Sequence, residues 1–592
     1  MAGLRILLSL ILFCSVAGPH RALSQQGSGV ASQKGTIKTE AGQKLDELLD
    51  RYVMYGFSGA VLVAKDGRII LNRGYGLANK EQGIVNTSET IFPIGSLTKQ
   101  FTAAAILRLE MQGKLSSADL VSKHLGQFPQ DKAGMTLHHL LTHTSGLISD
   151  GANAQLPLEN RDEYIEAVKR TQLKFAPGEK YSYSNVGYNL LAAVVEKVSG
   201  ISFEDYLQQQ LFQRAGMKMT GFVGKKSWSD KKRMRDSLIA LGYEPAAIGS
   251  SSATRAERPQ PSKWDDRGAG GVLTTTGDLF KWYRALEGTR LLSATAKKKL
   301  YTPNLGDYAY GWEIKKTEQG TPIIQHGGDV LGYQSWFAAY PQEKLLIITL
   351  INNRMRWRTL LTTTLARAAQ GKPYELPPAL ITMKSAELER YAGAYQLPTG
   401  GRIHAWTDEG AFLIGAEGQD AVNLLSRAPE KDMALHNGLN ARVDGIISKF
   451  RAGDFSDLQQ YSGTAKPSAY AADVQQWWET FVRNNGAAKS HTILGTARSR
   501  TGHSVTFVRV EFERGVKVLR LLWLSDMMVG HGSGVPRPAL SQYLPESPTK
   551  FTSFDILTSQ MTRVSFELDS EGRVIAMRLP SPTGEIVARK MQ

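Results

Sequence analysis

Apolar residues recur at helical spacing over Leu45, Leu48, Leu49 and Val53, and then the period changes. Gly59-Ala60-Val61-Leu62-Val63 and Ile69-Ile70-Leu71 flank the turn Lys65-Asp66-Gly67-Arg68. The first pattern predicts an amphipathic helix and the second a β-hairpin. Residues 97–111 combine Ala103, Ala104, Ala105, Ile106, Leu107 and Leu109 with strong helix formers, which predicts a buried helix with Ser96 at its N-terminal end. Further helical patterns cover 160–170, 187–199 and 277–287, and strand-like runs return at 310–314, 335–340 and 345–351. A strand pair, a helical middle and strands again is an α+β order, not an alternation of β-α units. The polar, irregular text of 223–266 reads as a long excursion over one side of that domain.

After Gln370-Gly371-Lys372-Pro373 the texture changes to short alternating segments with turn signals. Examples are 403–406, the turn Asp408-Glu409-Gly410, and 412–414. Val564, Phe566 and Leu568, followed by the turn 569–572 and then Val574 and Ala576, close the chain in the same style. Both regions predict antiparallel barrels or sandwiches. A break near 464–472 is the expected boundary, giving a domain at 39–372, a β domain at 380–466 and a second at 470–592. Trp477 and Trp478 read as core, and 526–538 as a long β-loop, with a lid over a cleft as the other reading.

At the N-terminus, Arg5 precedes an apolar run over 6–17 that ends in the small-residue pattern Ala22-Leu23-Ser24. This predicts a signal peptide over 1–24, cleaved near Ser24, with a flexible leader at 25–38 and an exported, periplasmic or extracellular protein. The run is shorter than the roughly 20 apolar residues that span a bilayer, so no transmembrane anchor is expected. Cys14, the only cysteine, lies inside this segment and follows Phe13. A mature chain without thiols has no disulfide scaffold, thiolate metal site or cysteine nucleophile. The formal charge of +16 is spread over short clusters such as Lys225-Lys226, Lys231 to Arg235 and 297–299. It reads as solvated surface, with attraction to anionic envelope polymers second and nucleic acid not expected.

Chemistry enters with Gly95-Ser96-Leu97-Thr98-Lys99. On a helix the i and i+3 side chains share a face, so Lys99 can reach the Ser96 hydroxyl. A serine needs a base to become a nucleophile, and a desolvated lysine can be that base. Downstream stand 136–147 (TLHHLLTHTSGL), Pro177-Gly178-Glu179-Lys180-Tyr181-Ser182-Tyr183-Ser184-Asn185 and Gln325-His326-Gly327-Gly328. His138, His139 and His143 lack carboxylate or cysteine partners at metal spacing, so neither a metal nor a cofactor is expected.

In type and chain order these segments resemble the serine β-lactamase and penicillin-recognising family, with its nucleophile, Tyr-x-Asn and Lys-Thr-Gly motifs. The resemblance covers about 41–355 and includes Gly268-Ala269-Gly270-Gly271 and Tyr310-Gly311-Trp312. It implies a β-lactamase/DD-peptidase-like domain, an antiparallel sheet flanked by helices plus a helical subdomain, followed by two smaller all-β barrel-like domains. It also implies that Ser96 forms an acyl-enzyme, that Lys99 and Tyr183 shuttle protons, and that Asn185 holds substrate and lysine. The oxyanion would meet the N–H groups of Ser96 and Asp329, after the triplet His326, Gly327 and Gly328. Tyr-Ser-Asn places the chain on the class C β-lactamase and DD-peptidase side. His326 stands where lysine is usual, and a mostly neutral histidine is a poor partner for a substrate carboxylate. D-aminopeptidases share the His-Gly-Gly triplet and two trailing β domains, and family VIII-type esterases share the first two motifs. The expected function is therefore a secreted serine hydrolase acting on a D-amino-acid peptide or small ester. Its partner is a small-molecule or peptide substrate, of cell-wall origin in one reading. The alternative is a non-catalytic penicillin- or muropeptide-binding sensor.

Overall fold

The computed structural model describes residues 35–149, 156, 159–224, 238–244, 258–353, 358–408, 411–463, 467–498, 503–533, 537–538, 540–555, 560–582 and 584–592. The expected signal peptide with Cys14, most of the leader, and the basic clusters at 225–226 and 231–235 lie outside them.

Seven antiparallel strands form the central sheet, in the order Thr36–Ile37, Arg68–Tyr75, Gly59–Lys65, Leu345–Ile351, Tyr333–Tyr340, Pro322–Val330 and Glu313–Lys316. Side chains alternate between its two faces. Val61, Val63, Leu71, Ala338 and Ile347 enter one core with Leu45, Leu48 and Leu49 of the helix Glu40–Met54 and with Leu361 and Leu365 of the helix Arg358–Ala369. Leu62, Phe337, Ile348 and Leu350 enter the other core, with the helices Thr98–Met111, Asn185–Ser199 and Thr276–Glu287. Capping fixes where these helices begin. Thr39 accepts from Gly42 N (3.0 Å) and Ser184 Oγ from Gly187 N (3.2 Å), each satisfying one of the orphan donors of a first turn.

The hairpin, the early helices and the α+β order are as expected. The strand Pro322–Val330 has no counterpart among the expected strands, and the run expected over 310–314 begins only at Glu313. Pro322, Gly327 and Gly328 dilute the β-branched pattern that marks a strand.

The C-terminal region is antiparallel β with a closed barrel whose strands are not consecutive in the chain. The eight barrel strands come from both sides of the 464–472 break: Gly393–Gln396, Arg402–Asp408 and Ala411–Glu417 before it, and five strands between Ser541 and Lys590 after it. The segment between them holds the helices Glu430–Arg451 and Pro467–Asn485 and a four-stranded sheet, Ala488–Arg498, Ser504–Phe512, Gly515–Leu524 and Met527–Ser533. The boundary thus falls partly in a helix, where Trp478 is buried beside Phe450 (5.4 Å between ring centroids). Part of the segment expected as a loop or lid is the edge strand Met527–Ser533. Closing the barrel needs a partner for each edge strand, and the chain supplies it from its last residues: Tyr395 pairs with Lys590. Local texture does not report such long-range pairing.

Candidate active site

Ser96 lies in the single turn Gly95–Leu97 that runs directly into the helix Thr98–Met111. That helix is buried almost all round, so Lys99 is carried into the interior and is 0% exposed. Its Nζ stands 3.0 Å from Ser96 Oγ, 2.7 Å from Asn185 Oδ1 and 3.0 Å from the Ala269 carbonyl. Burial without a carboxylate partner among the described residues holds its pKa well below the ordinary ammonium value.

The Ala269 carbonyl is placed by a small lattice of hydrogen bonds. Asn189 Oδ1 accepts from the backbone N–H of both Gly268 (3.0 Å) and Ala269 (3.2 Å), and Thr102 Oγ1 donates to the Gly268 carbonyl (2.7 Å). Gly268 has no room for a side chain, since a Cβ there would stand 2.2 Å from the Tyr188 carbonyl. The Gly268-Ala269-Gly270-Gly271 run is thus the seam between this loop and two helices.

Tyr183 is half-buried and its phenol is hydrogen-bonded with Ser96. Burial raises its pKa above the ordinary phenol value, only partly opposed by that bond. Lys99 Nζ lies 4.8 Å from the centre of its ring on one side and the His143 ring is 4.2 Å away. His143 is wholly buried; its Nδ1 accepts from Ser184 N (3.0 Å) and its carbonyl from Ser182 N (2.9 Å). It therefore clamps the backbone on both sides of Tyr183, a role that its place in Thr142-His143-Thr144-Ser145 did not announce. The sole hint in the sequence was that this run lacks the charged residues of a solvated turn.

Of the third motif, Asp329 reaches the surface and Gly328 is buried against the nucleophile turn. A Cβ on Gly328 would stand 2.0 Å from the Ile94 carbonyl, and one on Gly95, whose φ is +50°, would stand 3.0 Å from Asp329 N. Strand and turn are in direct backbone contact, with the Asp329 N–H beside Gly95 and Ser96. Gly327 is half-exposed at the same edge. His326, expected on the substrate side, is a buried ring. It is 3% exposed, its Nε2 is 2.8 Å from the Tyr308 hydroxyl and its Nδ1 is 2.6 Å from the Gly327 carbonyl. Tyr308, fully buried, joins this histidine to His143, whose ring is 4.5 Å away. Sequence reasoning missed Tyr308, because it lies 18 residues before His326 in irregular chain.

The geometry brings Ser96, Lys99, Tyr183, Asn185 and the Asp329 backbone together, with the buried His326 ring 6.3 Å from that of Tyr183. As an ammonium, Lys99 donates to all three neighbouring oxygens. As a free amine it keeps donors on Asn185 Oδ1 and the Ala269 carbonyl and turns its lone pair to the Ser96 hydroxyl.

A family model described as Beta-lactamase matches residues 43–370. The chain is 28% identical over 397 residues to penicillin-binding protein 4* of Bacillus subtilis, a match covering 62% of this chain and 86% of that protein. It is 28% identical over 337 residues to protein flp of Staphylococcus aureus, covering 53% of this chain and 64% of that one. Among solved structures, the octameric penicillin-binding protein homologue from Pyrococcus abyssi aligns with 93% of this chain and 100% of its own, at TM-score 0.53 and 19% identity. That likeness is one of fold.

Proposed function

Because the chain belongs to the beta-lactamase family, we propose that it is a serine hydrolase that opens an amide or ester through an acyl-enzyme on Ser96. The observation that carries the reading is the Lys99 amine. It is buried, its pKa is held well below the ordinary ammonium value, and it stands 3.0 Å from the hydroxyl it would activate.

The steps follow from the protonation states. Lys99 as free amine takes the Ser96 proton while Oγ attacks the carbonyl carbon. Negative charge on the carbonyl oxygen is met by the N–H groups of Ser96 and Asp329, a type of contact worth ~3 kcal/mol per donor. The leaving group takes the Tyr183 proton, which the raised pKa keeps in place at neutral pH. Water then gives a proton to the Tyr183 phenolate and attacks the acyl carbon. Ser96 Oγ departs with the proton held by Lys99, and every group returns to its first state.

The substrate side of the reading rests on His326. A family member that binds a carboxylate needs a cation beside the cleft, whereas this ring is buried and its nitrogens face Tyr308 and the Gly327 carbonyl. This supports a D-amino-acid peptide or small ester over a β-lactam or a terminal carboxylate. Export is supported by residues 1–24; no helix among the described residues is long and apolar enough to cross a membrane. The test compares hydrolysis of a para-nitrophenyl acyl ester, D-alanine para-nitroanilide and nitrocefin by the native chain and Ser96→Ala. Turnover of the first two, weak turnover of nitrocefin and loss of all three in Ser96→Ala are expected. Equal ester rates in both proteins overturn the reading.

A further inference from the structure

Two tyrosine rings, Tyr181 and Tyr183, pack against the same neighbours. Tyr183 lies 4.2 Å from the His143 ring and 6.1 Å from that of Tyr308, and Tyr181 lies 6.1 Å and 6.0 Å from the same two. His143 and Tyr308 are buried and Tyr183 is half-buried, whereas Tyr181 is 37% exposed. The nest of rings thus leads from the phenol beside Ser96 out to an aromatic surface in solvent. A glycine holds that surface in place. A Cβ on Gly306, whose φ is +69°, would stand 2.7 Å from Tyr181 Cγ and 2.9 and 3.0 Å from its two Cδ atoms, so backbone lies directly against the ring. Leu305, beside that glycine, is 43% exposed and adds apolar area at the same turn.

The charge nearby is negative. Glu313 accepts from the Gln325 amide (3.3 Å) and forms no ion pair among the described residues. Burial first, and then the Glu313 charge, raise the pKa of Tyr181 to about 12, and that of Tyr183 is raised by burial with Glu313 among the lesser causes. Asp307, on the far side of Gly306, has Lys315 as its partner (3.3 Å).

Single exposed apolar side chains are common and carry no meaning by themselves. Tyr181 differs in being fixed by two rings and a glycine, two residues from the group that protonates the leaving group in the acyl-enzyme reading, on which this inference rests. The departing part of the substrate leaves at Tyr183 and has Tyr181 as its neighbour. We infer that Tyr181, with Leu305 beside it, is the specificity-determining surface for the leaving group and selects an uncharged aromatic one, an arylmethyl alcohol or the amine of an aromatic residue. An aromatic pair gains from offset or edge-on geometry beyond the area that it buries. A carboxylate on the same leaving group meets the Glu313 charge instead of a cation.

Steady-state hydrolysis of ethyl, benzyl and 4-carboxybenzyl butyrate by the full chain tests this. The three esters give one and the same acyl-enzyme, so differences in kcat/KM report the leaving group alone, and ethanol and benzyl alcohol are of similar basicity. The native chain should prefer benzyl over ethyl butyrate by about tenfold or more and benzyl over 4-carboxybenzyl butyrate. Tyr181→Ala should lower the benzyl-to-ethyl ratio about fivefold or more, and Tyr181→Phe should keep it, because the ring and not the hydroxyl makes the contact. Equal kcat/KM for benzyl and ethyl butyrate, a preference for the carboxylated ester, an undiminished ratio in Tyr181→Ala or its loss in Tyr181→Phe overturns the inference. If Tyr181→Ala does not fold, the native ratios and Tyr181→Phe decide. Failure to hydrolyse any of the three esters, or equal rates in Ser96→Ala, overturns the hydrolase reading and this inference with it, a result distinct from a change in ratios.

Discussion

Two side chains carry the pH behaviour of the site and its frame. Lys99 is a base only when unprotonated, and burial favours that form by holding its pKa well below the ordinary ammonium value. Lys99→Arg keeps the charge but removes the base, because guanidinium does not lose its proton in proteins. Acylation should fall by about two to four orders of magnitude, and the wild-type rise of kcat/KM with pH should vanish, as stopped-flow burst kinetics would show. Tyr183→Phe should slow deacylation at least as much, so mass spectrometry of the ester-treated variant should find the acyl group on Ser96. Asp266 works on stability instead. Burial, and after it the neighbouring Asp265, raises its pKa from 3.8 to about 7, and its Oδ1 is buried without a hydrogen-bond partner. The folded chain holds this proton more tightly than the unfolded one. The stabilisation is therefore full below the unfolded value near 3.8 and is lost as pH rises through about 7. Asp266→Asn should flatten that loss, read as a smaller drop in melting temperature between pH 5 and pH 8 than the native chain shows.

At the scale of elements, the proposed catalysis depends on how closely the strand Pro322–Val330 approaches the turn Gly95–Leu97. Ser335 Oγ donates to the Ile94 carbonyl (2.7 Å) across the same contact, and Gly328 lies between them with no space for a methyl group. Gly328→Ala should push strand and turn apart and misplace the Asp329 N–H. A drop in kcat of about a hundredfold or more is expected, the scale of losing one oxyanion donor, with a smaller change in KM. Asn189→Ala should loosen the loop that carries the Ala269 carbonyl. It leaves the buried Gly268 N–H unmet, at about 1–3 kcal/mol, while the Ala269 N–H keeps the Asp266 carbonyl (3.0 Å), and denaturant unfolding should show the loss.

Across the whole molecule, the two cores around the sheet are built from residues up to Ala369, while the barrel and the four-stranded sheet have cores of their own. The connection passes along 371–384, where Arg51 donates to the Pro377 carbonyl (3.1 Å) and Tyr55 to the Pro378 carbonyl (3.1 Å). A chain ending after Pro378 keeps both contacts. It should fold cooperatively and hydrolyse the para-nitrophenyl ester with kcat/KM within about threefold of the full chain; a protein that is insoluble or molten by circular dichroism would show that the C-terminal region stabilises the catalytic one. A cut anywhere between Gly393 and Lys590, by contrast, separates strands of the closed barrel and opens an edge, because the barrel is sewn shut by strands from both ends of this region.

The sequence by itself determined what depends on neighbours along the chain. Periodicity marked the helices at 40–54 and 98–111 and the hairpin at 59–75, and the three-residue step from Ser96 to Lys99 placed two groups on one helical face. The resemblance carried by residue types in their order singled out Tyr183, Asn185 and the His-Gly-Gly run. Only the tertiary structure decided what those groups touch. Lys99 is buried among groups from far along the chain, Asn185 Oδ1 at a separation of 86 residues and the Ala269 carbonyl at 170, and the burial that lowers its pKa has no signature in local sequence. His326 is turned from the cleft by Tyr308, and His143 braces Tyr183, through contacts between rings that are distant in the chain or lie in irregular backbone. Barrel-like β was legible in the short alternating segments, but the pairing that closes it was not, for the same reason: hydrogen bonds between strands depend on which segments meet in space, and Tyr395 meets Lys590 across nearly two hundred residues.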